Sequence, residues 1–395
     1  MNSVAALVHF IQEVVPRERN EMLAAIGQEW DEAKKEWVQE FVDGFRQWCK
    51  VIREQQLAGK KGSLGFITYS MLRTDIAQRR ARYLVQASDS SWLFDANPVE
   101  GYYDGSWAYR YLDLLADRLK LASLEYKGAV HSAHLERIRL REAVHLHRVV
   151  VSLIRLAMLE ASQSPEFRAA KKAEVFEVRV GEYLDHSECV FRLDLTKRDA
   201  EEMRSWLRER NEEDYAYEAF HGMDLSEGDW AGIDLRYSAF RECCLSDSRF
   251  LDGILIGTLW QECRLDGANF AYSLISGANF SGCYMPSAVF RGVQGKRGML
   301  PFDGFPPIFE RVRFEGANLT GADFTRANLP GAVFTGATLK NAVFRGANLK
   351  GARFDKADLT GADFQDADVT EVNWNDAHWD DEDHRLLSQE MGGRP

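Results

Sequence analysis

The sequence predicts a mainly α N-terminal domain with a small β element over residues 1–220. An all-β repeat solenoid follows over residues 221–379, with a C-terminal cap at 380–395. Three observations carry this reading. Of 30 glycines only 9 precede residue 221, so the two parts obey different backbone rules. In the first part Trp30, Trp37, Phe41, Phe45, Trp48 and Ile52 recur at three-, four- and seven-residue spacing, the apolar stripe of one long helix. In the second part a bulky side chain returns at every fifth position, and a fixed short period is the mark of a repeat architecture.

In the helical part, the long helix runs from Pro16 to the Gly59–Gly62 stretch, with Glu29, Glu32, Glu36, Glu40 and Asp43 on its polar side. Further helices are expected at Ser70–Gln86, Ser106–Lys127, Val130–Ala161 and Lys197–Arg210. Between the last two, alternation over Val175–Val180 and Val190–Leu195 predicts a short strand pair flanking Asp185, His186 and Ser187.

In the repeat part, bulky centres occupy every fifth position from Leu225 to Phe290, and again from Leu319 through Phe324, Leu329, Phe334 and Leu339 to Phe364. Alanine stands two residues before each centre from Ala317 to Ala362. A second period of 20 alternates aliphatic and aromatic columns: Leu225, Leu245, Leu265 and Met285 beside Trp230, Phe250, Phe270 and Phe290. Units such as Ala317-Asn318-Leu319, Ala347-Asn348-Leu349 and Ala357-Asp358-Leu359 resemble the pentapeptide-repeat family over about residues 223–379. That resemblance implies a right-handed quadrilateral β-helix, four pentapeptides per coil, with the centre and the residue two before it pointing inward. The 20-residue period supports four sides independently. Cys243, Cys263 and Cys283 then stack in the small inward slot as buried hydrophobes rather than as redox or metal groups.

The register breaks between Phe290 and Phe314. Either a loop at about 291–308 leaves the solenoid, or one coil is distorted by a one-residue deletion. Consecutive prolines favour the loop. Lys296, Arg297, Phe302 and Phe305 on it, with Lys340, Arg345, Lys350 and Arg353 around one coil, are the candidate partner-binding residues.

Hydrophobic residues at 45% and charged residues at 28% exclude a chain disordered throughout. The stretch from Met1 to Val15 lacks the basic start of a signal peptide, and the most apolar run, Val149–Leu159, contains Arg155 and is short for a membrane span. With six cysteines, a cytoplasmic protein is expected. The net charge of -12 argues against direct nucleic-acid binding.

Catalytic chemistry has one weak candidate, a metal site at His131, His134, Glu142 and His145, where Glu142 and His145 have the E-x-x-H spacing of di-iron bundles. The lack of a second such motif at a suitable place makes a polar helix face the better reading, and no cofactor is expected. The arginine groups Arg79, Arg80, Arg82 and Arg137, Arg141, Arg148 read as solvated or paired helix faces.

The resemblance implies one sharper possibility, protection of DNA gyrase by imitating duplex DNA. Here the charges are segregated: a basic coil precedes the acids Asp358, Asp363, Asp366, Asp368, Glu371 and Asp376. The expected function is therefore noncatalytic recognition of a protein partner, with gyrase protection and a metalloenzyme as alternatives. A homodimer through the C-terminal end is a further expectation from the resemblance.

Overall fold

The computed structural model describes residues 3–196, 199–209, 215–298 and 307–379. Packing divides the chain into two units, residues 1–196 with 298–307, and residues 197–297 with 308–395.

The first unit opens with α1 (Ser3–His9), a π turn at Phe10–Val14 and α2 (Val15–Leu57). The helix thus begins well before Pro16. A proline lacks the N–H and crowds the carbonyl four residues back, and the wider π turn just ahead of it accommodates that defect. Next come β1 (Leu64–Met71), α3 (Arg73–Ala77), β2 (Arg82–Ser88), β3 (Val99–Asp104), α4 (Ser106–Ser123) and α5 (Ser132–Ala161). The unit ends with α6 (Pro165–Ala169), β4 (Lys172–Glu182) and β5 (Ser187–Asp194).

Two expectations need correction. The helix expected at Ser70–Gln86 is instead the end of β1, the single turn α3 and most of β2. Arg79 takes the left-handed φ of 58°, which stops α3, and the alternation at Tyr83, Val85 and Ala87 then buries one face of a strand. The small β element is a five-stranded sheet of order β3-β2-β1-β4-β5. Its central pair β1 and β4 is parallel, with Ile67 opposite Val178, whereas the other pairs are antiparallel.

The apolar stripe of α2 meets this sheet. The Phe41 ring lies 5.5 Å from Tyr69 and 5.6 Å from Tyr103, and Phe45 lies 5.7 Å from Phe167 of α6. Full burial of each such side chain is worth about 1.5–3 kcal/mol.

The second unit begins with α7 (Ala200–Arg208), whose Met203 and Leu207 share one apolar cluster with the repeat centres. This packing is why the division falls at 196/197 rather than near His221. After β6 (Ala219–His221), β7 (Ala239–Arg241) and β8 (Leu259–Gln261), parallel bridges join residues 20 apart, such as Asp224 to Cys244 and Asn318 to Thr338. The fold is a β-helix of 20-residue coils.

Its core is built from columns of like side chains. Phe240 and Trp260 stack at 4.2 Å, Phe314 and Phe334 at 4.9 Å, and Phe334 and Phe354 at 4.7 Å. The neighbouring column stacks Phe324, Phe344 and Phe364 at 4.8 and 4.7 Å, and the two columns meet edge to face. Both geometries are favourable for aromatic quadrupoles. The chain turns between successive repeats through a left-handed residue, for example Gly331 at φ 72°, and this accounts for the glycine excess of the second half.

At the interruption the bridge partners lie further apart in sequence than a regular coil allows. Leu259 pairs with Asn279 in the ordinary register, but Asn279 pairs next with Arg313, and Gln294 with Asn328. Part of the chain between the ladder positions Gln294 and Arg313 therefore lies outside the coil. Gly295 occupies an inward centre there, because a Cβ would come within 2.6 Å of Leu329 and 2.7 Å of Val312. No helix among the described residues is long and apolar enough to cross a membrane.

Candidate recognition surface

Inside the coils nothing is left for a ligand: Leu319, Phe324, Leu329, Phe334, Leu339 and Phe344 are each 0% exposed. Chemistry is confined to the residue before each centre and the two turn residues after it, which face outward.

The four basic residues of one coil are all half-exposed, yet none is a free charge. Lys340 lies 3.3 Å from Asp358, Lys350 3.6 Å from Glu371 and Arg353 3.1 Å from Asp355, while Arg345 hydrogen-bonds Asp363. Partial burial opposes ionisation of Asp358, but hydrogen bonds from Thr360 and the Lys340 ammonium outweigh it and hold the carboxyl below its ordinary range. Asp358, Asp363 and Glu371 thus form cross-coil ion pairs with the basic coil, while Arg353 pairs with Asp355 two residues on. No open cationic patch results from these four residues. Lys340, Arg345 and Lys350 occupy equivalent turns of three successive pentapeptides, so the structure does not gather them into one spot.

At the interruption, Arg297 donates its Nε–H to the Phe309 carbonyl at 2.6 Å and joins its two described sides. Lys296 is exposed. Phe302 and Phe305 lie outside the described residues, as does the 380–395 cap with the homodimer expected of it. Within the first unit, Ser152 of α5 donates to the Pro307 carbonyl at 3.1 Å.

On the adjoining outward row, Asn348 Nδ2 donates to Asn328 Oδ1 at 3.1 Å and Asn328 Nδ2 to Gln294 Oε1 at 2.8 Å. This polar ladder continues across the interruption.

The three stacked cysteines are buried free thiols. Cys263 and Cys283 donate to the carbonyls of Phe240 and Trp260, both at 3.4 Å. The Cys243 thiol is pushed up by its hydrogen bond with Cys263 and by burial, so it is no nucleophile at neutral pH.

The histidine segment separates into two pieces. His131 and His134 form a cap at the start of α5, the His131 backbone N–H donating to His134 Nδ1 at 3.2 Å. Glu142 and His145 lie further along the helix, against Arg19 of α2: Arg19 Nη1 is 3.2 Å from His145 Nε2 and 3.6 Å from Glu142 Oε2. Among the described residues no three His, Cys, Asp or Glu side chains are grouped to hold a metal. Arg19 was not foreseen, since no local pattern links it to a helix 126 residues away.

Family comparison matches residues 255–294 to Pentapeptide repeats (8 copies) and residues 307–382 to Pentapeptide repeat region. The second unit is a pentapeptide-repeat domain. The gap between the two matches falls at the interruption, and neither match reaches residues 1–196. Among solved structures, QnrB1, a plasmid-mediated fluoroquinolone resistance protein, aligns at 22% identity over 46% of this chain and 93% of its own, with a TM-score of 0.31. HetL from Nostoc sp. strain PCC 7120, a pentapeptide repeat protein involved in heterocyst differentiation regulation, aligns at 21% identity over 46% and 95%, with a TM-score of 0.18. A search of curated proteins gave no match.

Proposed function

We propose that this chain is a noncatalytic recognition protein whose right-handed, four-sided solenoid offers rigid outward faces to another protein. One observation carries the reading. The inward positions are filled by stacked Phe, Leu and Ala side chains, so the repeat can act only through its surface, where charged turn residues and the Gln294–Asn328–Asn348 row recur at coil spacing. The six free thiols suit a cytoplasmic setting. Pairing of Asp358, Asp363 and Glu371 with the basic coil disfavours mimicry of DNA there, because a polyanion needs unpaired negative charge along its length.

The test is capture of partners from the native host with the full chain, against a variant carrying Asn328→Ala, Lys340→Ala and Lys350→Ala. A partner retained by the native chain and lost by the equally stable variant supports the proposal. Equal capture by both places recognition elsewhere. Interference with gyrase supercoiling that disappears on neutralising Asp366 and Asp368 would replace this reading with topoisomerase protection.

A further inference from the structure

Positions 134, 137, 141, 145 and 148 follow three- and four-residue steps, so His134, Arg137, Arg141, His145 and Arg148 share one stripe of α5. Arg19 reaches that stripe from α2, and its Nη1 meets both His145 Nε2 and Glu142 Oε2. Glu142 is 2% exposed, a carboxylate held in the protein beside that guanidinium. Burial, reinforced by the charges of Arg19, Arg148 and Arg141, pushes His145 down to about 4. Its ring is therefore neutral and accepts from Arg19 at Nε2, which leaves the proton on Nδ1.

Several arginines elsewhere in the unit are paired with acids, although Arg168 bonds only the Gln163 amide. Arg46, Arg73, Arg110, Arg118 and Arg139 pair with Glu166, Glu182, Glu29, Glu21 and Glu136. Among the described residues no ion pair is formed by Arg137, Arg141 or Arg148, and Arg141 acts on Glu142 only at longer range. Arg19, Arg141 and Arg148 all act on the one His145 ring, and the nearby Glu142, whose carboxyl burial pushes up, is opposed only by Arg19 and Arg141. The excess positive charge persists in a chain of net charge -12. Planar guanidinium forks match the oxygens of a phosphoryl group, and a dianion would balance the excess.

We propose that this cluster between α2 and α5 binds a small phosphoryl-bearing anion, with Arg141, Arg148 and Arg19 as its ligands and with Glu142 and His145 positioning Arg19. The site lies outside the repeat and is independent of the recognition role.

Calorimetry with the full chain and tripolyphosphate tests it. Binding by the native protein is expected, with affinity falling at least tenfold in the double variant Arg141→Ala, Arg148→Ala while thermal melting without ligand stays the same. Arg118→Ala, which removes a cation already paired with Glu21, should bind as the native chain does. Tripolyphosphate should also raise the melting temperature of the native chain and leave that of the double variant unmoved. Absence of binding at low salt, or equal affinity in the double variant, overturns the proposal. So does tighter binding of a single-stranded oligonucleotide lost in the same variant, since the ligand would then be a nucleic-acid backbone.

Discussion

Phe41 in the first unit and Phe344 in the second are both buried rings, but they depend on their surroundings differently. Phe41 touches Tyr69 and Tyr103, which come from different strands and have no equivalents elsewhere. Phe344 sits between Phe324 and Phe364, in a column where each ring repeats the environment of the last. The first unit is specified by unique long-range contacts, the second by one local rule applied coil after coil. In a repeat of this kind stability is close to a sum of nearest-neighbour terms. Damage should therefore spread differently in the two units.

The largest expected effect breaks the column. Phe344→Asp places a carboxylate without a partner where a ring is 0% exposed, at a cost of about 4 kcal/mol or more from the lost ring and the buried charge. Circular dichroism and thermal melting should show early loss of the adjacent coils, with the first unit melting as before. Thr335→Asp is the contrast. Thr335 is an outward turn residue whose Oγ1 is 3.4 Å from Asp355 Oδ2, so a second acid there costs only a like-charge contact of about 0.5 kcal/mol. A native melting curve for Phe344→Asp would contradict the inward column.

Acid should find the first unit before the second. His147 of α5 is buried against Tyr83, whose hydroxyl lies 3.0 Å from its Nδ1, and burial pushes the imidazole down to about 4. The folded protein takes up this proton only near pH 4, whereas the unfolded chain does so near 6.5. Between those values the unfolded state binds more protons, so the stability is present above pH 6.5 and is lost as pH falls toward 4. For this buried group the loss is on the order of 3 kcal/mol. Near-ultraviolet signals from the first unit should decay across that window, while the β signal of the solenoid, whose described core has no histidine, persists. Coincident loss of both signals would mean that the two units unfold as one.

How much of this could be read in advance follows from the same contrast. The repeat was legible because each five-residue unit states the rule again, and the paired charges were legible in principle: about one coil beyond Lys340, Arg345 and Lys350 stand Asp358, Asp363 and Glu371. That signal lies in the coil period and needs ladder neighbours to be compared, whereas the chain read linearly shows a basic block followed by an acidic one. The sheet of the first unit was not legible. Ile67 of β1 finds Val178 of β4 across most of the unit's length, and the segment around Arg73–Ala77 is compatible with helix until Arg79 turns it. Long helices with a continuous stripe, α2 and α5, needed no such partner and were found nearly whole.

The interruption sharpens the comparison, because there the repeat itself depends on a unique residue. Gly295→Ala adds one methyl where Leu329 and Val312 already fill the space, and overpacking of this kind costs about 1–3 kcal/mol. The centres of the later coils take Leu and Phe, such as Leu319 and Phe324, so the penalty belongs to this coil alone. Chemical denaturation should show a lower midpoint with unchanged slope.

The smallest effect concerns the surface of the rod. Lys350→Ala removes a half-exposed ammonium 3.6 Å from Glu371, a pair that spans adjacent coils. Exposed ion pairs of this kind contribute about 0–1 kcal/mol and are screened by salt, since the attraction acts through water and two flexible side chains must be held in place. The melting temperature should fall slightly at low ionic strength and match the native value in concentrated salt. The Phe344→Asp deficit should remain at every salt concentration, because it arises from burial. If Lys350→Ala were as damaging as Phe344→Asp, or if its effect ignored salt, the outward ladder would be part of what holds the coils together and could not serve as a surface free for a partner.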